Sequence, residues 1–298
     1  MASSEYKSLS LDEHVYSLDA EESEFLKQWT GISDDAELKN HILTKQREAY
    51  AVAPYPCIRG FGFTKLKISR LFPYKQLLQL QREKPKAILL DIGCCFGNDI
   101  RKAVADGWPA SQALGTDIEK ELWDIGYTIY KDSPETFPVP FIVGDAFSPS
   151  HLDVIAPWAA PPSSPAPDLK TLTSLNPLRG HVSAIHASSL FHLFTEEDQA
   201  RLAARLAGLL SHESGSMIFG QHVGQPVTGN RVDPFKSGGG TMFCYNPEDW
   251  EKLWEGVFSQ SGVKVAVRGE LNEVPREDQP PEAEGKQSWR FTWSVTRL

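Results

Sequence analysis

Three aspartates stand where a strand–helix chain would do chemistry: Asp91 in "LLDIGCCFG", Asp117 in "ALGTDI" and Asp145 in "VGDAF". Each follows a short apolar run and precedes a turn, which puts a carboxylate at the end of a strand. Ligands of open parallel sheets bind beyond the carboxyl ends of the strands, so three acids so placed would face one ligand. A carboxylate at the head of the first loop is awkward beside a pyrophosphate and helpful beside a cation. That loop has Gly93 and Gly97 but lacks the middle glycine of the G-x-G-x-x-G dinucleotide loop.

The three acids together describe a ligand with sugar hydroxyls, an amino-bearing base and a cationic tail. Asp117 lies 26 residues after Asp91 (117 − 91), about the interval at which an acid on a second strand accepts from ribose hydroxyls. Asp145 is placed to accept from an adenine amino group, with Phe147 as a flat apolar wall. Adenosine with a cationic amino-acid tail is S-adenosylmethionine. Two further strand ends carry His186, Ser188 and Ser189, then Gln221 and His222. Cys94 and Cys95 raise a metal or redox site as an alternative. Adjacent thiols do not complete a tetrahedral zinc site, and no C-x-x-C or close His pair accompanies them. Compact packing in the turn is the expectation.

Such groups need a sheet to position them. "KAILLDI", "ALGTDI", "VPFIVGD", "HVSAIHA" and "GSMIFGQ" are predicted strands. Between them, "NDIRKAVADG", "KELWDIGYTIYKD" and "TEEDQARLAARLAGLL" carry apolar residues at helical spacing. Thr195 and Asp198 make a near capping box for the last of these. "NPEDWEKLWEGVF" opens with Asn as cap and Pro at the first helical position. "VKVAVRG" and "SWRFTWSVTRL" alternate as an antiparallel terminal pair does. Strand–helix alternation predicts parallel strands joined by right-handed crossovers, with helices on both faces. The expected organisation is a helical extension over residues 1–85 and one compact α/β unit over 86–298.

In the extension, Ser33 is expected to cap a helix reaching about Ala51, followed by the aromatic loop "APYPCIRGFGF". Three segments interrupt the pattern. Residues 156–180, with six prolines, read as an extended insertion. Residues 223–241, with Gly238-Gly239-Gly240, read as a lid. Residues 272–287 read as a solvated acidic loop.

Composition narrows the partners. The 298-residue chain is 41% hydrophobic and 23% charged, with a formal net charge of −9. The acidity argues against long nucleic acids, whose phosphates call for a basic surface. No run approaches the roughly 20 apolar residues that span a bilayer. "MASSEYKSLSLDEH" lacks the basic-then-apolar pattern of a secretory leader. Four scattered cysteines do not make a disulfide framework, so a reducing, cytoplasmic setting is expected.

"LLDIGCCFG", "GTDI" and "VGDAF" resemble the successive motifs of class I S-adenosylmethionine-dependent methyltransferases. "PYPCIRGF", "DIGCCFG" and "IHASSLFHLF" look like the fungal small-molecule methyltransferases of meroterpenoid and other secondary metabolism. The resemblance covers roughly residues 86–298 and implies a Rossmann-like seven-stranded sheet ending in an antiparallel pair. It implies that Asp91 orients the methionine ammonium, while Gly93, Cys94 and Gly97 let the loop approach the cofactor. Asp117 would bind ribose, Ile118 would pack on adenine, and Asp145, Ala146 and Phe147 would complete the adenine pocket. The methionine moiety would pass His186 and Ala187, and Arg59 and Tyr55 would close over the site. Cys95 stands where the family pattern has glycine.

Methyl transfer from a sulfonium is an in-line displacement that depends on alignment. A carboxylate acceptor needs only orientation, whereas a phenol benefits from a general base. His192, in "SSLFHLF", and His222 are the catalytic base candidates. Tyr50, Phe61, Phe63, Phe191, Phe194, Phe235 and Phe243 suit a small apolar acceptor. The expected protein is an O-methyltransferase for a small carboxylic acid or phenol. It would use no metal, no nucleic acid and no membrane, and its oligomeric state is open, a homodimer included. The alternatives are a non-catalytic binding subunit on the same fold and an NAD-dependent oxidoreductase, which would need the missing glycine.

Overall fold

The structure, a computed structural model, describes residues 9–236, 240–275 and 287–298. The chain opens with α1 (Ala20–Thr30), α2 (Asp35–Val52), the single turn α3 (Pro56–Arg59) and α4 (Tyr74–Glu83). A capping box between Asp19 and Glu22 starts α1. Glu22 is buried between Lys65 at 3.0 Å and Arg70 at 2.9 Å, so the segment after α3 is tied back to the start of α1. Asp34, rather than Ser33, caps α2 by accepting from the Glu37 amide at 2.8 Å. A carboxylate adds attraction to the helix dipole that a hydroxyl lacks. Pro56 at the first helical position turns part of the expected aromatic loop into α3.

Among the described residues nine strands follow: β1 (Leu89–Ile92), β2 (Ala113–Asp117), β3 (Phe141–Val143), β4 (Ala184–His186), β5 (Met217–Val223), β6 (Gly229–Val232), β7 (Thr241–Cys244), β8 (Val265–Val274) and β9 (Ser288–Arg297). Seven form one sheet in the order β3-β2-β1-β4-β5-β9-β8. Its first five strands are parallel, and β9 runs antiparallel to both β5 and β8. The predicted α/β sheet with an antiparallel terminal pair is therefore the observed one. The helices are α5 (Asn98–Ala105), α6 (Lys120–Tyr130), α7 (Glu196–Leu209) and α8 (Pro247–Ser259).

Alternate strand residues bury opposite faces of the sheet. Leu90, Ile185, Ile218 and Trp293 pack against Leu202 and Leu206 of α7 and Trp250 and Trp254 of α8. Leu89, Ala184, Met217 and Phe219 pack on the other face against Leu77, Ile100 and Trp123. Helix α2 lies against α6, where Ile42, Ile58 and Phe61 share a core with Phe96, Leu122 and Ile129.

Two segments differ from expectation. Residues 223–241 contain β6, which pairs with β7 in an antiparallel hairpin where a lid was expected. Gly238 and Gly239 lie outside the described residues. Strand β8 continues to Val274, into the expected acidic loop, because its whole length pairs with β9. The rest of that loop, residues 276–286, lies outside the described residues. Among the described residues, no helix is long and apolar enough to cross a membrane.

Gly126 joins this packing to the loop after β1. A Cβ there would stand well inside van der Waals contact distance of the Phe96 carbonyl oxygen. Alanine is the better helix former by about 1 kcal/mol, yet the clash costs about 1–3 kcal/mol. Gly126→Ala should therefore lower Tm, by roughly 2–4 °C per net kcal/mol, and weaken binding of the S-adenosylmethionine that the resemblance implies. Calorimetric melting and titration of the same sample check both effects.

Candidate active site

Strand order reverses between β1 and β4, and a crevice opens beyond their carboxyl ends. A cavity of about 620 Å³ occupies it. Asp91 of β1 lies in register with His186 of β4. Its Oδ1 is 2.8 Å from His186 Nδ1, and His186 Nε2 is 2.7 Å from Ser188 Oγ. The Gln221 amide donates to the same Ser188 oxygen at 3.1 Å. Burial opposes a charge on His186, but the Asp91 charge and hydrogen bond outweigh it and raise the imidazole pKa. Burial also raises Asp91 above its ordinary value, although the neighbouring His186 opposes the shift.

The loop after β1 turns three times into the left-handed region, at Gly93 (φ 72°), Cys95 (φ 50°) and Gly97 (φ 69°). A Cβ on Gly97 would also stand 2.5 Å from Trp123. The Cys95 amide donates to Asp117 Oδ2 at 2.8 Å, and the Glu119 amide to Oδ1 at 3.0 Å. From beneath, the fully buried Arg101 donates to the Phe96 carbonyl at 2.7 Å. It also makes a bidentate pair with Asp132 at 2.8 and 3.0 Å. Burial raises the Asp117 pKa against the pull of its two backbone donors.

Residues 11–64 match the family described as meroterpenoid methyltransferase N-terminal domain. The chain is 31% identical over 229 residues to the O-methyltransferase phiE from a fungal species, covering 76% of this chain and 68% of that protein. The chain belongs to the fungal O-methyltransferase family. It is also 29% identical to the asnovolin E/chermesin D methyltransferase nvfJ of Aspergillus novofumigatus, covering 78% of this chain and 74% of the relative. A solved Burkholderia thailandensis N-methyltransferase with S-adenosylhomocysteine bound aligns at TM-score 0.45 and 12% identity, covering 78% of each chain. S-adenosylmethionine is the cofactor that the sequence resemblance implies.

The methyltransferase cavity offers groups that fit this cofactor. Asp91, Gly93, Cys94, Asp117, Ile118, Asp145, Ala146, Phe147 and His186 all border it. Ile118 leaves 47% of its surface exposed, an apolar face available to a base. Asp145 Oδ1 accepts from the Phe147 amide at 2.8 Å, and Phe147 meets Phe194 edge-on at 4.8 Å. Lys67 also borders the cavity, and its ammonium makes no ion pair within the described residues. It lies in the N-terminal segment, where no strand-end pattern marks it. Cys94 packs with Leu89 and Ile100, and burial pushes its thiol well above the usual value. Among the described residues, no three His, Cys, Asp or Glu side chains cluster to hold a metal.

Other expected residues lie elsewhere. Gly97 shapes the loop from behind and does not border the cavity. Arg59 does not border the cavity and donates to the Ser10 carbonyl at 3.0 Å, while Tyr55 does border it. Of the expected apolar mouth, Phe63, Phe194 and Phe235 border the cavity. Tyr50, Phe61, Phe191 and Phe243 are buried in packing instead. Phe191, for example, sits edge-on between Trp250 at 4.9 Å and Trp293 at 5.5 Å.

His192 and His222 both border the cavity, their rings 6.3 Å apart. His222 is not placed to be the general base. Its Nδ1 accepts from the Trp293 indole N–H at 3.0 Å. Burial, then the neighbouring His192, drives its pKa well below the ordinary histidine value. A neutral ring accepting at Nδ1 carries its proton on Nε2, so no lone pair is left for a substrate proton.

The Asp91–His186 pair generates a stability prediction. His186 binds its proton more tightly in the folded state than in the unfolded state. Its contribution is therefore complete below about pH 6.5 and is lost as pH rises through the higher folded pKa. Asp91 is also raised, so its shift has the same sign. His186→Gln should lower Tm at pH 6, and the gap to the unmodified protein should narrow towards pH 9. Thermal melts across that range check it, and a constant gap would exclude the linkage.

Proposed function

We propose that the chain methylates an oxygen of a small, largely apolar carboxylic acid or phenol in fungal secondary metabolism. The carrying observation is a continuous cavity. It runs from the acid-bearing ends of β1, β2 and β3 to an apolar wall of Leu193, Phe194, Phe235 and Met242. The O-methyltransferase relative phiE supports the same reading.

S-adenosylmethionine supplies the electrophilic methyl group from its sulfonium. Asp117 would accept ribose hydroxyls through the outer lone pairs of a carboxylate already fixed by Cys95 and Glu119. Ile118 and Phe147 would flank the adenine, and Asp145 would accept from its amino group. Asp91, steadied by His186, would hold the methionine ammonium. Lys67 would supply the opposite charge for the methionine carboxylate. Catalysis then consists of aligning acceptor oxygen, methyl and sulfur in a site that excludes water.

The N-terminal segment, residues 1–85, acts as a cap on the unit 86–298, since Val15, Tyr55, Cys57 and Phe63 complete the cavity wall. The site takes a small molecule and no nucleic acid, in keeping with the net charge of −9. The proposed setting is cytoplasmic, with all four cysteines as free thiols.

Incubation with methyl-labelled S-adenosylmethionine and a panel of aryl and alicyclic carboxylic acids and phenols tests the reading. Transfer to oxygen is the expected result, and transfer to nitrogen or carbon alone would refute it. Asp117→Ala should weaken cofactor binding about tenfold or more, as expected for one charged hydrogen bond of about 1.5–3 kcal/mol. Unchanged affinity by calorimetry would remove Asp117 from the ribose site.

A further inference from the structure

We infer that His222 is a fixed hydrogen-bond donor to the methyl acceptor, and that Trp293 is the residue that fixes it. This rests on the methyltransferase reading and deepens it by assigning the acceptor end of the cavity. Three observations carry it. His222 ends the buried row of β5 side chains and borders the cavity, while its ring is 95% buried (5% exposed). Its Nδ1 accepts the Trp293 indole proton, a bond between residues 71 apart in sequence. Its Nε2 is buried and has no hydrogen-bond partner among the described residues.

Indole N–H is a donor and never an acceptor. Trp293 therefore dictates the tautomer: Nδ1 holds the lone pair and Nε2 holds the proton. The ring has little freedom to turn. It packs against Trp250 at 5.0 Å, Phe291 at 5.4 Å and Phe191 at 5.9 Å. A buried N–H without a partner costs about 1–3 kcal/mol, a cost removed when a ligand oxygen accepts from it.

Strand order decides which ligand that is. The cofactor acids stand on β1, β2 and β3, on one side of the β1/β4 crevice. His222 stands on β5, on the far side of β4, facing the acceptor wall. A neutral donor there holds the acceptor's oxygen-bearing group in one orientation and takes no proton from it. Any base that a phenol requires must be another group, and His192 is the other histidine of this stretch of the cavity wall.

The test combines the tautomer with kinetics. Nitrogen-15 NMR of the histidine rings, in the cofactor-free protein, should show His222 protonated at Nε2 and neutral at pH 6. Protonation at Nδ1, or a cationic ring at pH 6, overturns the assignment without any substrate. Trp293→Phe, which removes only the indole N–H and part of the ring, should mix the two tautomers. With an acceptor that the unmodified protein methylates, Trp293→Phe should lower kcat/KM by roughly tenfold and leave cofactor affinity within twofold. A tautomer unchanged by Trp293→Phe removes Trp293 from the assignment.

His222→Gln keeps an N–H near Nε2 and should retain most of the rate. His222→Leu removes the donor and should lose roughly 10- to 100-fold in kcat/KM. If His222→Gln is as slow as His222→Leu, and the loss also removes a limb of the pH–rate profile, His222 is a base and the donor assignment fails. If His222→Leu turns over normally, the acceptor does not touch it. Failure of the methyltransferase reading looks different: the unmodified protein transfers nothing to any acid or phenol, whatever the tautomer.

Discussion

The Cys95 amide's bond to the Asp117 carboxylate joins the loop after β1 to the end of β2, and the cavity wall between those two strands depends on it. It forms at a residue whose backbone lies in the left-handed region, which a side chain ordinarily disfavours. A non-glycine residue there costs of order 1 kcal/mol and persists because the surroundings over-determine it. Asp117 holds the loop from above, and Arg101 holds the Phe96 carbonyl from below. Arg101 is in turn clamped by Asp132 and lies 4.2 Å from the Phe137 ring centroid. The charge buried beneath the loop is thus paired, hydrogen-bonded and stacked, the condition under which burying a guanidinium is tolerated.

A second constraint operates across the crevice. His186 and His222 sit on adjacent strands, yet their surroundings push their pKa values in opposite directions. His186 faces a carboxylate and is raised. His222 is packed among aromatic rings with a second histidine nearby and is lowered well below its ordinary value. The two imidazoles therefore differ in proton affinity, one beside a carboxylate and the other among aromatic rings.

Much of this site was legible in the sequence because strand ends are local features. Asp91, Asp117 and Asp145 each follow a run of apolar residues, and parallel topology brings such ends together. The partners of those residues were not legible. The Asp91–His186 bond joins residues 95 apart, and its register becomes visible only once β4 lies beside β1. The role of His222 turned on Trp293, one indole in a strand with two other aromatic residues that alternation alone cannot rank. Phe191 and Phe243 looked like pocket residues because hydrophobicity does not separate a wall from a core. The β6–β7 hairpin escaped notice because the Gly238-Gly239-Gly240 run between its strands masked their short alternation.

The N-terminal segment shows how a cavity wall is held by packing rather than by the sheet. Helix α2 has no side chain bordering the cavity, yet Ile42 and Ala49 are fully buried. Gln46 at its centre donates to the carbonyls of Ile58 and Arg59 at 3.1 and 2.8 Å. Those two bonds satisfy the end of α3, whose neighbours Tyr55, Cys57 and Gly60 form the wall. Because α2 is also packed on α6, the wall is referenced to the same helix that supports the loop after β1. A change in the core between α2 and α6 therefore shifts that wall and the loop after β1 together. This coupling follows from a shared, close-packed core.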